Sequence, residues 1–174
     1  MKKRKVAEGE IGGKPISLRD FLKEAHDGSG LWVTRIYRYP AAFVACAAAG
    51  VGVGPNALTL FSSLLSMLGG GLLVITAEID WAVVLISFAL LSTAYIFDCA
   101  DGQLARACRS GSKLGAWLDH TLDCFKLVMV NACLGWVAIS QAVELGQSIW
   151  VGYLAAQLNI AGCLTYFFGW NYKV

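Results

Sequence analysis

Four long apolar stretches dominate the pattern of hydrophobic and polar positions along this chain. They cover roughly residues 57–76, 81–97, 116–139 and 148–170, and short polar segments separate them. Each is close to the length that crosses a bilayer, because an α-helix of about 20 residues spans the hydrocarbon core. The pattern therefore predicts an all-α protein, a polytopic transmembrane helical bundle with about four spans.

The segment ahead of the first span predicts a short N-terminal amphipathic helix. Ser17 and Asp20 have the spacing of a capping box, and Gly28 is placed to end the helix. One face of the helix is apolar and carries Leu18, Phe21, Leu22 and Ala25. We expect this helix to lie on the membrane surface.

A shorter apolar stretch, residues 41–53, follows this helix. Its thirteen residues are too few to cross a bilayer, so we expect it to lie at the interface or to pack against the bundle. Gly54 then interrupts the pattern, and Pro55 suits the first turn of the next helix. Small residues that favour close helix contact recur in that helix, namely Ser62, Ser63, Ser66, Gly69, Gly70 and Gly71.

Composition and charge support a membrane protein and predict its orientation. The 174 residues are 57% hydrophobic and 15% charged, which is unusually apolar for a soluble domain of this size. Nine of the fourteen lysines and arginines precede the first span, and three more lie between the second and third. The loops 77–80 and 140–147 contain neither residue type. The positive-inside rule therefore predicts an N-terminus, a central loop and a C-terminus that face the cytoplasm.

The basic run over residues 2–5 permits two interpretations. Such a run is typical of a nuclear-localisation or nucleic-acid-binding patch, and also of a topology signal. The loop charges favour the topology signal, so we expect no nucleic-acid partner. Polar residues follow the run, rather than the apolar core and cleavage site of a signal peptide, so we expect the membrane segments to direct insertion.

Cysteine and histidine usage argues against two kinds of site. The six cysteines form no CxxC pair and fall mostly inside apolar segments, where thiols usually act as small hydrophobic residues. We therefore expect no disulfide framework. The chain has two histidines, which gives a zinc site of the usual His/Cys type few ligands.

Four carboxylates lie at the predicted cytoplasmic ends of the second and third spans. Asp98 and Asp101 are spaced i,i+3, and Asp119 and Asp123 are spaced i,i+4, so each pair shares one face of its helix. Carboxylates near a bilayer cost free energy unless they are paired or bound to a cation. Clustered carboxylate oxygens are typical ligands of Mg²⁺, Mn²⁺ or Ca²⁺, and two such pairs can hold two ions that jointly bind a diphosphate.

The ordinary alternative is a set of interfacial aspartates that basic side chains and solvent satisfy. Arg106 and Lys113 are near enough in sequence for that role. A single pair of aspartates would favour this alternative. Four aspartates on two adjacent spans favour a functional site, because acidic groups in membrane segments usually mark function.

The same residues carry a resemblance to a known family. The run from Asp98 to Asp123 resembles the CDP-alcohol phosphotransferase signature DxxDGxxAR(x8)GxxxDxxxD at all eight fixed positions. Upstream, residues 55–59 are similar to the PNxLT element of that family. The resemblance covers about residues 55–170. The fixed positions are Asp98, Asp101, Gly102, Ala105, Arg106, Gly115, Asp119 and Asp123.

The resemblance implies a membrane enzyme of phospholipid synthesis. An alcohol would attack the phosphorus of a CDP-linked donor, either CDP-diacylglycerol or a soluble CDP-alcohol, and CMP would be released. Asp98, Asp101 and Asp119 would bind Mg²⁺ or Mn²⁺, with two ions expected, and Asp123 would contact the metals and act as general base. The donor would be bound by Asn56, Thr59, Gly102, Ala105, Arg106 and Gly115.

The acceptor alcohol stays open between inositol phosphate, glycerol phosphate, serine, ethanolamine and choline. Candidate acceptor-binding residues are Arg109, Lys113 and Lys126, because a phosphorylated acceptor needs basic groups near Asp123. Lys126 has the alternative role of pairing with Asp123. For His120 we favour a packing or interfacial role, because i,i+1 neighbours on a helix point apart.

Family members usually have six spans, two more than this chain predicts. We expect a cytoplasmic basic tail and juxtamembrane segment over residues 1–55, and a transmembrane catalytic domain over 56–174 that is C-terminally incomplete or is completed by a second chain. The expected partners are the donor, the acceptor, membrane lipid and a second copy in a homodimer. The competing hypotheses are a cation transporter or channel lined by acids, and an inactive membrane scaffold or fragment.

Overall fold

The computed structural model describes residues 10–11, 14–15, 17–27, 32–75 and 80–171. A short antiparallel pair of two-residue strands, β1 (Glu10–Ile11) and β2 (Lys14–Pro15), comes first. Apart from short connecting loops, the rest of the described chain is helical, which confirms the predicted all-α class. The helices are α1 (Leu18–Asp27), α2 (Trp32–Gly50), α3 (Pro55–Ile75), α4 (Trp81–Ala107), α5 (Lys113–Glu144) and α6 (Ile149–Asn171).

Three helices of the described chain, α3, α4 and α5, are long and apolar enough to cross a membrane. Their outward surfaces carry large apolar side chains that a soluble protein would bury, such as Leu64, Phe88 and Val128, which are 52%, 64% and 65% exposed. These helices contain the second and third predicted spans and the first span up to Ile75, whereas Thr76 lies outside the described residues. The fourth predicted span coincides with α6, so its helical structure is confirmed, and its insertion in the membrane stays a prediction.

The chain divides into two compact units. The first unit comprises residues 1–65 and 92–122, and the second comprises residues 66–91 and 123–174. The core of the first unit is built mainly of alanines, whose small side chains let helices approach closely. Its fully buried members include Phe21 and Ala25 on α1, Ala41, Ala42 and Ala45 on α2, and Ala100 on α4.

Helix α1 begins as the capping-box spacing predicts. The backbone N–H and the hydroxyl of Ser17 both donate to Oδ2 of Asp20, at 2.8 and 2.9 Å. These two donors, the backbone N–H first, hold the pKa of Asp20 below its usual range. The buried Phe21 and Ala25 lie on the face that packs against α2. The predicted amphipathic helix is therefore confirmed, and its place on the membrane surface stays a prediction.

Helix α2 begins earlier than its apolar stretch and contains Pro40. The stretch packs in the core of the first unit, which is one of the two placements that its length allowed. Because proline lacks an N–H, it removes one hydrogen bond from the helix ladder. Near this position, Nε2 of Gln103 on α4 donates to the carbonyl of Arg38 at 3.0 Å. This bond ties α2 to α4, and α3 then begins at Pro55 as predicted.

Close helix contact in the second unit depends on glycines. A Cβ added at Gly69 would lie 3.1 Å from Cβ of Leu90, which confirms the close contact predicted from the small residues of α3. A Cβ added at Gly152 on α6 would lie 2.6 Å from Cα of Ile139 on α5. That distance is shorter than any real Cβ contact, so α6 packs here directly on the backbone of α5.

Candidate active site

Helices α4 and α5 carry the acidic residues of the site. Asp98 and Asp119 are half-buried, and each offers a carboxylate oxygen within 4.8 Å of the other. Oxygens that share one divalent cation at about 2.0–2.6 Å must lie within about 4–5 Å of each other, so this pair fits a hard cation. Asp123 lies one turn beyond Asp119 on the same unbroken helix, where the second unit begins.

Asp101 differs from these aspartates because it is buried, with 4% of its surface exposed. Oγ1 of Thr59 on α3 donates to its Oδ2 at 2.5 Å. A short bond from a neutral hydroxyl to a carboxylate is a charge-assisted hydrogen bond, which offsets part of the cost of burying the charge. Two residues that are 42 positions apart in sequence thereby fix α3 against α4.

A cavity of about 180 Å³ adjoins these carboxylates in the first unit. Whole small-molecule sites usually enclose about 300–1,000 Å³, so this cavity has room for only part of a nucleotide-linked lipid. All six residues expected to bind the donor line it, together with Asp101 and Asp119. The complete lining is Pro55, Asn56, Thr59, Asp101, Gly102, Ala105, Arg106, Ser110, Gly111, Ser112, Gly115, Ala116 and Asp119.

The two glycines of the signature occupy different surroundings in this cavity. A Cβ added at Gly102 would lie 3.2 Å from Nη1 of Arg106, so the guanidinium lies over the backbone there. A Cβ added at Gly115 would lie 3.0 Å from both Oδ1 of Asn56 and Oγ of Ser112. The absence of a side chain at Gly115 thus lets α5 approach the start of α3.

The loop between α4 and α5 is closed at both ends by hydrogen bonds. At the end of α4, the N–H of Arg109 donates to the carbonyl of Arg106 at 3.2 Å, and the N–H of Ser110 donates to that of Ala105 at 3.1 Å. This pattern is a Schellman motif with Arg109 in the left-handed region at φ +48°. At the start of α5, the N–H of Gly115 donates to Oγ of Ser112 at 2.9 Å, which caps the helix.

The same helix ending occurs twice more in the described chain. At the ends of α2 and α5, Gly52 and Gly146 occupy the left-handed position with φ +73° and +67°. Glycine is the usual residue there because a Cβ is unfavourable in that conformation. Arg109 therefore holds a strained backbone position that glycine holds elsewhere in this chain. Next to it, burial raises the pKa of the Cys108 thiol, which keeps that thiol neutral.

The basic candidates for acceptor binding are placed differently from one another. Nζ of Lys126 lies 2.7 Å from Oδ1 of Asp123, one turn away on α5, so the pairing predicted as an alternative is present. Arg109 and Lys113 are exposed on or beside the loop. His120 is also exposed, on the first turns of α5.

Ser110, Gly111, Ser112 and Ala116 line the cavity although sequence reasoning did not select them. The first three fall in the eight-residue interval of the signature, which the pattern treats as a spacer. A serine three residues before Gly115, with a helix starting between them, was the available sign of a helix cap. The sequence carried no sign that Ser110 enters the cavity.

Comparison with known proteins identifies a family and a curated relative. The sequence model described as CDP-alcohol phosphatidyltransferase matches residues 53–171. The relative is the phosphatidylinositol phosphate synthase of Mycolicibacterium smegmatis (strain ATCC 700084 / mc(2)155), which is 34% identical over 95 residues. That match covers 55% of this chain and 40% of the relative, so it spans less than half of that protein's length. No solved structure matches the chain.

Proposed function

This chain belongs to the CDP-alcohol phosphatidyltransferase family, and we propose that it transfers a substituted phosphate from a CDP-linked donor to an alcohol with release of CMP. Membership in the family, together with three helices apolar enough to cross a bilayer, supports an integral membrane protein that acts in phospholipid head-group transfer. The observation that carries the finer proposal is the cavity, because it collects all six expected donor-binding residues beside two of the acidic residues.

The donor part of the proposal rests on the lining of that cavity. Arg106 supplies positive charge for a phosphate, and the absence of a side chain at Gly102 leaves room for its guanidinium. Asn56 and Gly115 lie against each other at the opposite wall. The cavity would hold the nucleotide end of the donor, and the rest of the donor would extend out of it.

The acidic residues would bind divalent cations, Mg²⁺ or Mn²⁺, with two ions expected. Asp98 and Asp119 offer oxygens at a spacing that fits one ion, and Asp101 and Asp123 are the remaining ligands that we propose. Bound cations would neutralise the diphosphate and the negative charge of the leaving CMP. Thr59 would hold the carboxylate of Asp101 in a fixed orientation through its hydrogen bond.

The proposed transfer is a substitution at the donor phosphorus. The acceptor oxygen forms a new bond to the donor phosphorus that carries the transferred group, and the P–O bond to CMP breaks. The electron pair of that bond leaves with CMP, and the hydroxyl proton passes to the carboxylate of Asp123. The ion pair with Lys126 would hold that carboxylate in place until the acceptor binds.

For the acceptor we propose a phosphorylated polyol, inositol phosphate in the first place. The similarity to a phosphatidylinositol phosphate synthase supports this choice. The exposed Arg109 and Lys113 supply positive charge beside the cavity that a phosphomonoester would need. We also propose that the N-terminus and the site face the cytoplasm, because the loop between α4 and α5 is basic.

Thermal unfolding in detergent tests the donor and metal proposals together. Mn²⁺ with CMP should stabilise the wild-type chain more than either does alone, by about 2.7 kcal/mol when CMP is at 100 times its Kd. The joint effect should vanish in Asp98→Asn and persist in Asp80→Asn, whose carboxylate lies at the start of α4 outside the cavity. A metal effect that is indifferent to cytidine nucleotides would favour a cation transporter instead.

Product analysis tests the acceptor. With CDP-diacylglycerol as donor, labelled inositol phosphate should enter the lipid fraction and unphosphorylated inositol should not. Transfer to inositol, serine or choline in preference would contradict the phosphorylated acceptor and leave the donor proposal standing.

A further inference from the structure

Two serines of the loop between α4 and α5 line the cavity, and their hydroxyls differ in bonding. Oγ of Ser112 accepts the N–H of Gly115 and caps α5. Oγ of Ser110 is buried and has no hydrogen-bond partner among the residues that the structure describes. Two other side-chain atoms of the described chain share that condition, Ser87 Oγ and Gln103 Oε1, and neither residue lines the cavity.

A buried hydroxyl without a partner costs free energy, because it gives up its bonds to water. Native structures keep few such groups, and those that persist call for an explanation such as a functional role or a bound water or ion. The backbone of Ser110 is fixed by its own N–H bond to Ala105 and by the left-handed Arg109 before it. The Cβ of Ser110 is therefore held at the cavity wall, and Oγ is buried there.

The other polar groups around the cavity indicate what this hydroxyl would bind. Arg106 brings a guanidinium to the same lining, over the backbone of Gly102. A guanidinium and a hydroxyl donor are groups that bind phosphate oxygens. We propose that Ser110 Oγ donates a hydrogen bond to a phosphate oxygen of the nucleotide part of the donor, an inference that rests on the proposed function.

Binding measurements on the full chain with Mn²⁺ present test this assignment, with CMP and cytidine as probes. Ser110→Ala should weaken CMP binding by about 10-fold, because a hydrogen bond to a charged group is lost. It should leave the affinity for cytidine unchanged, because cytidine carries no phosphate. Ser110→Thr keeps the hydroxyl and should bind CMP more tightly than Ser110→Ala does.

Stability without nucleotide separates a ligand contact from a structural role. Ser110→Ala should leave the Tm unchanged or raise it, because it removes an unpaired buried hydroxyl, whereas Ser112→Ala should lower the Tm through loss of the helix cap. A loss of Tm in Ser110→Ala equal to that in Ser112→Ala would overturn the proposal. So would an equal loss of cytidine and CMP affinity, or unchanged CMP affinity. A wild-type chain that binds no CMP would overturn the proposed function itself.

Discussion

Replacement of Gly115 by alanine is the most direct test of the cavity, because the structure gives the contacts that the new side chain would make. Its Cβ would lie 3.0 Å from Oδ1 of Asn56 and from Oγ of Ser112, so both atoms would have to withdraw by several tenths of an ångström. Overpacking of this kind costs about 1–3 kcal/mol, and loss of the Ser112 cap costs about 1 kcal/mol more. The higher helix propensity of alanine returns about 1 kcal/mol.

The net expectation for Gly115→Ala is a loss of about 1–3 kcal/mol, which corresponds to a fall of about 2–12 °C in Tm for a chain of this size. CMP binding should weaken as well, because the displaced Asn56 lines the cavity. Both quantities are measured by thermal unfolding in detergent with and without nucleotide.

Gly111→Ala is the matched control for this experiment. Gly111 lies on the same loop and lines the same cavity, but a Cβ added there would meet no atom within 4 Å. Its free energy of unfolding should stay within about 0.5 kcal/mol of the wild-type value. If Gly115→Ala matched Gly111→Ala in both Tm and CMP affinity, the close approach of α5 to Asn56 would be refuted.

Three further substitutions follow from the described contacts. Thr59→Val removes the hydrogen-bond donor to Asp101 and should lower the free energy of unfolding by about 1.5–3 kcal/mol. Thr59→Ser keeps the hydroxyl and should lose less stability. Equal losses of stability in urea or thermal unfolding would show that the hydrogen bond has no role. Arg109→Gly should raise the Tm, because it relieves the strain of the left-handed backbone position. It should also raise the KM for a phosphorylated acceptor, because it removes a positive charge beside the cavity. A lower Tm would contradict the strain. Asp20→Ala should destabilise the chain at neutral pH. Because the pKa of Asp20 is lowered in the folded state, the difference in Tm between this variant and wild type should disappear as the pH falls through that lowered pKa. A difference that persisted in acid would exclude the carboxylate as its cause.

Local sequence signals predicted the starts of α1 and α3. Ser17 and Asp20 marked the start of α1, and Pro55 marked the start of α3, because capping and proline placement depend only on neighbouring residues. Six of the eight fixed positions of the signature line one cavity, and Asp98 and Asp123 are not part of its lining. Local patterns were sufficient wherever a few adjacent residues decide the conformation.

The parts that sequence patterns missed depend on distant partners. Helix α2 starts at Trp32 although Arg38 and Pro40 interrupt its apolar pattern, and the bond from Gln103 that meets this region comes from 65 residues away. The hydrogen bond between Thr59 and Asp101 is likewise invisible to periodicity. The unpaired hydroxyl at Ser110 follows from the course of a loop that the signature leaves undefined.

The length of α5 has a consequence for how the two substrates meet. Its 32 residues extend about 48 Å, whereas the hydrocarbon core is about 30 Å thick, so part of the helix must lie outside it. We expect the end that begins at Lys113, beside the basic loop, to lie outside the core. Asp119 is about 9 Å along the axis from there, so we expect it to lie at the depth of the lipid head groups. A lipid donor could therefore reach the carboxylates by lateral diffusion alone, and a soluble acceptor by diffusion from the aqueous phase. We expect the rate to follow the surface mole fraction of the donor in mixed micelles, and to fall on dilution with inert detergent at constant bulk concentration.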